Sequence, residues 1–112
     1  MIYRIIQLRS RLYDDIKTEV MYEVASAHAA GCELIRLNIT KDEELGYHKR
    51  AMTSLIKCLK TMKGSGMIQF FATLDSFEQG NTEAQFLINK YPDIFEALPK
   101  ESDTECFVYV RV

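Results

Sequence analysis

Four short apolar runs alternate with segments that carry apolar residues at helical spacing, and this alternation restricts the chain to few architectures. Runs of this length are typical of buried strands, and strands that alternate with helices indicate an α/β fold. We therefore expect one α/β domain, with a four-stranded mixed, mostly parallel sheet and about three helices, in the order β-α-β-α-β-α-β. The four runs are Ile2–Leu8, Cys32–Ile39, Met67–Thr73 and Glu105–Val112.

The three intervening segments have the spacing and the end signals of helices. The first is expected over 12–30, with Ser10 as its N-terminal cap and Gly31 in the left-handed position after its last turn. The second is expected over 41–62, and Thr40 with Glu43 forms a capping box at its start. A third helix, with Asn81 or Thr82 as its N-terminal cap, is expected to run to about 91 and to be followed by a short one over 93–98. The stripe predicted to be buried in the first helix is Ile16, Val20, Val24 and Ala27.

The patterns of the first and last strands predict different places in the sheet. The first strand is apolar on both faces, which suits a central position. The last strand alternates cleanly between apolar and more polar residues, which favours an edge or an antiparallel position. The first three strands are expected to run in the same direction, joined by right-handed crossovers.

Composition excludes several classes of protein. The chain has 112 residues and a formal net charge of −2, so it suits one domain and lacks the overall basic charge of a nucleic-acid binder. Its three cysteines have no CxxC spacing, which predicts reduced thiols and no metal site. Arg4 and Gln7 interrupt the first apolar run, so we expect no signal peptide, no membrane segment and a cytoplasmic protein. No sequence motif for a cofactor is present.

Polar residues follow the first three strands and form a candidate ligand site. If these strands are parallel, their carboxyl ends meet at one edge of the sheet, where polar groups and helix N-termini could bind a phosphate or another small polar ligand. The same residue types are also explained as helix caps and turn formers, because both need short polar side chains. No catalytic residue is assigned. The candidate ligand residues are Arg9, Ser10, Asn38, Thr40 and Asp75.

Aromatic side chains on the first and last strands predict a candidate partner interface. Tyr3, Phe107 and Tyr109 could form an apolar patch, and aromatic residues are enriched in interface cores. If the last strand is an open edge, it could pair with its copy in a homodimer. The alternative is that a helix of the same chain covers this face.

The order of elements in the first half is similar to that of Smr domains, which are small α/β modules linked with nicking of nucleic acids. The likeness rests on the segments 8–10, 29–31 and 46–52. Ser10 stands where the first motif of that family ends in glycine, and the glycine-rich segment after the second strand is replaced by 38–42. The resemblance implies nucleic-acid binding. The residues themselves offer the basic face of the second helix as the candidate surface, which could also meet an acidic partner or be a solvated outer face whose charges complement the end of the helix. That face contains Lys49, Arg50, Lys57, Lys60 and Lys63.

These observations suggest three functions. The first is a small cytoplasmic interaction or regulatory domain that forms a homodimer and has no catalytic activity. The second is an enzyme or binding domain that takes a small polar ligand at the carboxyl edge of the sheet. The third is nucleic-acid binding through the second helix.

Overall fold

A computed structural model describes residues 3–10, 12–41, 47–73, 81–93 and 105–112, with the backbone alone at Tyr47, His48 and Glu105. The described residues form one α/β domain with four strands and three helices in the predicted order. The strands are β1 (Tyr3–Leu8), β2 (Leu34–Thr40), β3 (Phe70–Thr73) and β4 (Glu105–Arg111). The helices are α1 (Tyr13–Ala29), α2 (Tyr47–Gly64) and α3 (Thr82–Lys90).

Local sequence signals account for the ends of the helices. Asn81 caps α3, because its side-chain oxygen accepts hydrogen bonds from the amides of Glu83 at 2.9 Å and Ala84 at 3.2 Å. Gly31 follows α1 in the left-handed position, as predicted, with a φ of 73°. Gly66, with a φ of 80°, has the same place after α2. Both helices therefore end in a Schellman motif, which satisfies carbonyl groups of the last turn.

The sheet order is β1-β2-β4-β3. Strand β1 pairs with β2 in parallel, and β4 runs antiparallel to both β2 and β3. Strands β1, β2 and β3 therefore share one direction, as predicted. Strand β4 nevertheless separates β3 from β2, so β1 and β2 are the single adjacent parallel pair among the described strands.

Helices α1 and α2 cover one face of the sheet, called here the α1/α2 face. The predicted stripe of α1 is buried there, and both crossovers advance in the same direction across the sheet, which places their helices on the same side. The core of this face is aliphatic. Its sheet residues include Ile6, Leu8, Ile35, Leu37, Ile39, Val108 and Val110.

Helix α3 covers part of the opposite face, called here the α3 face. The buried residues of this second core are mostly aromatic or small: Leu34, Phe70, Ala72, Ala84, Leu87, Tyr91, Phe107 and Tyr109. At its C-terminal end, α3 is tied to the start of β2. There Tyr91 donates a hydrogen bond to the carboxylate of Glu33, and the Lys90 amine lies 3.5 Å from the same carboxylate.

Of the two positions predicted for the last strand, the antiparallel one is confirmed and the edge one is wrong, because β4 runs antiparallel to both neighbours in the interior of the sheet. Its more polar residues fall near its ends, while Phe107 and Tyr109 are buried between them. The central position predicted for the first strand is wrong. Strand β1 lies at an edge, and Ile5, which made it look apolar on both faces, is 52% exposed. Most of the short helix predicted over 93–98 and the Glu43 half of the capping box lie outside the described residues.

Candidate functional site

The carboxyl ends of β1 and β2 are neighbours, as the candidate ligand site requires. Leu8 is aligned with Ile39, so Arg9 and Ser10 follow β1 beside the end of β2. Strand β3 ends at Thr73, which is aligned with Val108 on the intervening β4. Two strand spacings, about 10 Å, therefore lie between β3 and β2. Strand β3 also ends level with Leu37, three residues before β2 ends at Thr40. Asp75 lies outside the described residues.

Ser10 and Arg9 are held by a residue of α1. The Ser10 hydroxyl donates to Glu19 Oε2 at 2.6 Å, and the Arg9 amide donates to Glu19 Oε1 at 3.0 Å. The N-cap of α1 is Leu12, which provides no side-chain hydrogen bond. The predicted capping role of Ser10 is therefore wrong, and its hydroxyl instead joins the end of β1 to the second turn of α1.

Asn38 and Thr40 project onto the α3 face, away from Ser10. Asn38 is 5% exposed, and its Oδ1 accepts a hydrogen bond from Arg36 Nε at 2.9 Å. Thr40 Oγ1 accepts a hydrogen bond from Gln7 Nε2 at 3.1 Å. The candidate ligand residues that the structure describes are thus divided between two sides of the sheet and have partners within the chain.

The candidate interface residues surround Arg36, which no sequence pattern had singled out. Its guanidinium lies 4.6 Å from the centre of the Phe107 ring, and it also interacts with the hydroxyls of Tyr3 and Tyr109. Burial raises the pKa of both tyrosines, and the positive charge of Arg36 opposes that rise. An arginine in the middle of a largely apolar strand was the signal available in the sequence.

Phe107 and Tyr109 are buried within the chain, at 6% and 0% exposure, and α3 packs against their cluster. In the structure, a helix of the same chain therefore covers this face, which was the alternative to an open interface. The interior position of β4 also excludes edge pairing through this strand, because β2 and β3 occupy its two sides. Tyr3, on β1, is partly buried at the margin of the same cluster.

An open groove runs along the outer edge of β1, between this strand and α1. Its volume is about 470 Å³, and it is lined by Arg4, Ile5, Ile6, Gln7, Arg9, Glu19 and Glu23. Arg4 Nη1 donates to Ser26 Oγ of α1 at 3.2 Å, which joins β1 to the helix. Glu19 joins the two elements a second time through the hydrogen bonds that hold Arg9 and Ser10.

Two large apolar side chains stand on either side of this edge. Ile5, on the α3 face of β1, is 52% exposed. Tyr22, on α1, is 70% exposed, and it lies three residues after Glu19 and four before Ser26, so it shares the side of α1 that contacts β1. The edge is thus bordered by apolar surface on both faces of the sheet.

The outer face of α2 is basic. All five cationic side chains predicted there are exposed, and the helix has no acidic residue over 47–64. Lys57 lies 4.7 Å from the centre of the Tyr13 ring, and Lys63 lies 3.6 Å from Glu83 Oε2. Two of these cations therefore already interact with other elements. Lys57 and Lys60 both line a shallow depression of about 440 Å³, together with Met52 and Ile56.

The cysteines have the character of packing residues. Cys32 and Cys58 are buried, and all three thiols are free. Burial raises the pKa of Cys58 and of Cys106, which favours the unreactive thiol form. Among the described residues, no three His, Cys, Asp or Glu side chains are grouped so that they could hold a metal ion.

Comparison with protein-family models, with curated proteins and with solved structures gives no match to this chain. The resemblance to Smr domains thus gains no support from these comparisons. In the part of the chain that the structure describes, no helix has the length and apolarity needed to cross a lipid bilayer.

Proposed function

We propose that this chain is a small interaction domain that forms a homodimer by pairing β1 with β1 of a second copy, without catalytic activity. The observation that carries the proposal is the open edge of β1. This strand has six residues and pairs with β2 on one side, and no described residue pairs with its other side. Unpaired backbone amides and carbonyls at a sheet edge are a template for another strand.

A second copy of the chain is a suitable partner for the β1 groove, because the charges of the groove do not repel those of an identical groove. Its two arginines and two glutamates balance in charge, so two copies approach each other without net repulsion. Antiparallel pairing about a two-fold axis brings the same edge of both copies together and produces one eight-stranded sheet. In that arrangement the Ile5 side chains of the two copies approach each other on the α3 face.

The edge of β1 is too short to form a stable dimer interface alone, so α1 must also contribute buried area. Stable interfaces bury about 1,200–2,000 Å² in total, which a six-residue strand does not provide by itself. Continuing the sheet across the axis also places α1 beside its copy, where the exposed Tyr22 ring adds apolar area. We therefore expect a concentration-dependent dimer rather than a permanent one.

The direct test is Ile5→Lys. Two lysines then face each other across the axis, and burial of Ile5 is lost, so the dissociation constant should rise about tenfold or more. Sedimentation velocity over a range of protein concentrations measures the change. Phe86→Lys is the matched control, because Phe86 is similarly exposed, at 48%, but lies on α3. A native chain that stays monomeric at every concentration would overturn the proposal.

Amide hydrogen exchange locates the interface independently. If β1 pairs with its copy, the outward amides of 3–8 should become more protected as the protein concentration rises, while the amides of β3 should not change. Dimerisation without this protection would mean that the two copies associate through another surface.

The basic face of α2 supports nucleic-acid binding as a second candidate function. The supporting observation is that the outer face of this helix has five exposed cationic side chains, and the helix has no acidic residue over 47–64. Lys49→Glu with Lys60→Glu should abolish a gel shift with DNA or RNA at low salt, and binding should weaken steeply with added salt. Absence of binding by the native chain at low salt would dismiss this candidate.

A cytoplasmic location is part of the first proposal. It is supported by the three free thiols, two of them buried, since unpaired cysteines persist in reducing compartments. Cell fractionation with a tagged chain tests it, and recovery in a secreted fraction would contradict it.

A further inference from the structure

A cleft of about 340 Å³ lies at the opposite edge of the sheet, where the start of β3 and the end of β4 meet the first turns of α3. This volume falls within the roughly 300–1,000 Å³ of small-molecule sites. The walls consist of Gln69, Phe70, Thr82, Glu83, Phe86 and Arg111. The cleft is separate from the β1 groove and shares no residue with it.

Two aromatic rings provide the apolar walls of the cleft. Phe70 is 8% exposed and anchored in the core of the α3 face, whereas Phe86 is 48% exposed. The Arg111 guanidinium lies 4.9 Å from the centre of the Phe86 ring, and Arg111 is also fixed at its backbone, where its carbonyl accepts a hydrogen bond from the Gln69 amide at 2.9 Å. A planar group entering the cleft can therefore pack against Phe86 while its polar end reaches Arg111.

The charges around the cleft favour an anion. Glu83 is the acidic residue of the lining, but the Lys63 amine lies 3.6 Å from its carboxylate and offsets its charge. Among the described residues, Arg111 has no carboxylate at ion-pair distance. The nearby Glu33 carboxylate, whose pKa the charge of Arg111 helps to lower, is offset by Lys90 at 3.5 Å. The charge of Arg111 therefore remains in excess, and one net positive charge suits a monoanion better than the dianionic form of phosphate.

We propose that this cleft binds a small organic monoanion with a planar ring, of the aryl carboxylate class. The ring packs between Phe86 and the exposed rim of Phe70, and the carboxylate pairs with the Arg111 guanidinium. A planar guanidinium matches the two oxygens of a carboxylate in a bidentate geometry, so Arg111 sets the orientation of the ligand. The proposal does not depend on dimerisation through β1.

The test is an NMR titration of the native chain with benzoate as the probe. Benzamide serves as its neutral isostere and inorganic phosphate as an anion without a ring. Benzoate should produce saturable amide shifts at 69–70, 82–86 and 111, with a dissociation constant in the millimolar range or tighter. Benzamide and phosphate should bind more weakly by about tenfold or more, because each lacks one of the two required groups.

Three variants assign the binding to these residues. Arg111→Gln and Phe86→Ala should each weaken benzoate binding, the first by about tenfold or more. Phe86→Ala also covers the case in which Arg111→Gln fails to fold, because nearly half of Phe86 is exposed, at 48%. Arg9→Gln, at the other edge of the sheet, should bind benzoate like the native chain. Shifts that never saturate, equal binding of phosphate, or an equal loss in Arg9→Gln would overturn the proposal.

Discussion

The two edges of the sheet differ in how their strands are covered. Strand β1 has six residues, and its outer side is open along a groove with balanced charges. Strand β3 has four residues and presents Phe70 to the core beneath α3, so its neighbourhood is a cleft rather than a strand-length opening. A long open edge suits another strand, whereas a short edge beside a helix suits a small ligand.

This difference arises from where the chain places α3. The helix packs over β3 and the adjoining part of β4, and its end is tied to Glu33 at the start of β2. Ile5, on the same face of the sheet but on β1, is left half exposed. The two edges should therefore respond differently to mutation.

The largest expected difference is between Phe70→Ala and Ile5→Ala. Removal of the buried Phe70 ring leaves a cavity beneath α3 and should lower the free energy of unfolding by about 3–5 kcal/mol. Ile5 is 52% exposed, so its truncation should cost less than about 1 kcal/mol. Urea denaturation, done at a concentration where the chain is monomeric, compares the two. Equal losses in the free energy of unfolding would show that the side chains of the two edges are not buried to different extents in solution.

Next in size is the effect of Ser10→Ala at the β1 edge. The hydroxyl donates to the Glu19 carboxylate at 2.6 Å, and its loss should cost about 1 kcal/mol because the contact is only partly buried. Thr18→Ala is the control, because the exposed Thr18 hydroxyl donates to the Asp14 carbonyl within α1 and joins no second element. Alanine has the higher helix propensity, so this control should leave stability unchanged or slightly raised. Urea denaturation again provides the measurement.

Ser10→Asp separates the observed contact from a capping role. An aspartate is a good N-cap, so a capping serine would tolerate the change. Beside the Glu19 carboxylate the new charge is repelled, so Ser10→Asp should be less stable than Ser10→Ala. The reverse order would restore the capping interpretation.

The sequence predicts correctly those features that depend on residues close together in the chain. The stripe from Ile16 to Ala27, the turn at Gly31 and the cap at Asn81 depend on spacing within a few residues, and all three are found. The strand order depends on contacts between distant segments. The interior position of β4 results from pairing with β2 and β3, which its own alternation does not encode.

The candidate sites show the same limit. Arg36 and Asn38 are two residues apart on one strand, so their shared face could have been deduced from the alternation of side chains. That Ser10 would instead turn to Glu19 depends on how α1 folds back on β1. The contact between Phe86 and Arg111 joins α3 to the end of β4, and no local pattern indicates it.

A smaller effect should appear only in acid, at the end of α3. The hydrogen bond from Tyr91 and then the charge of Lys90 hold the pKa of Glu33 below its usual range. The resulting stabilisation is present at neutral pH and is lost as the pH falls through the lowered pKa of the folded state. In Glu33→Gln this part of the acid dependence should disappear. Urea midpoints at a series of pH values measure it, and Tyr91→Phe should reduce it as well. An unchanged acid profile in Glu33→Gln would contradict the assignment.

The smallest expected effect is that of Lys63→Met on stability. Lys63 and Glu83 are 3.6 Å apart, but their side chains are 45% and 57% exposed, so the pair should contribute less than about 0.5 kcal/mol. Lys60→Met, on the same exposed side of α2, is the control for loss of one positive charge. Urea midpoints of the two variants should agree, because Phe70 rather than this ion pair holds α3 against the sheet. A clearly lower midpoint for Lys63→Met alone would mean that Lys63 helps to support the β3 edge, through Glu83 or through the Phe70 ring, whose centre lies 5.9 Å from its amine. The cleft would then depend on surface charge as much as on the aromatic core beneath it.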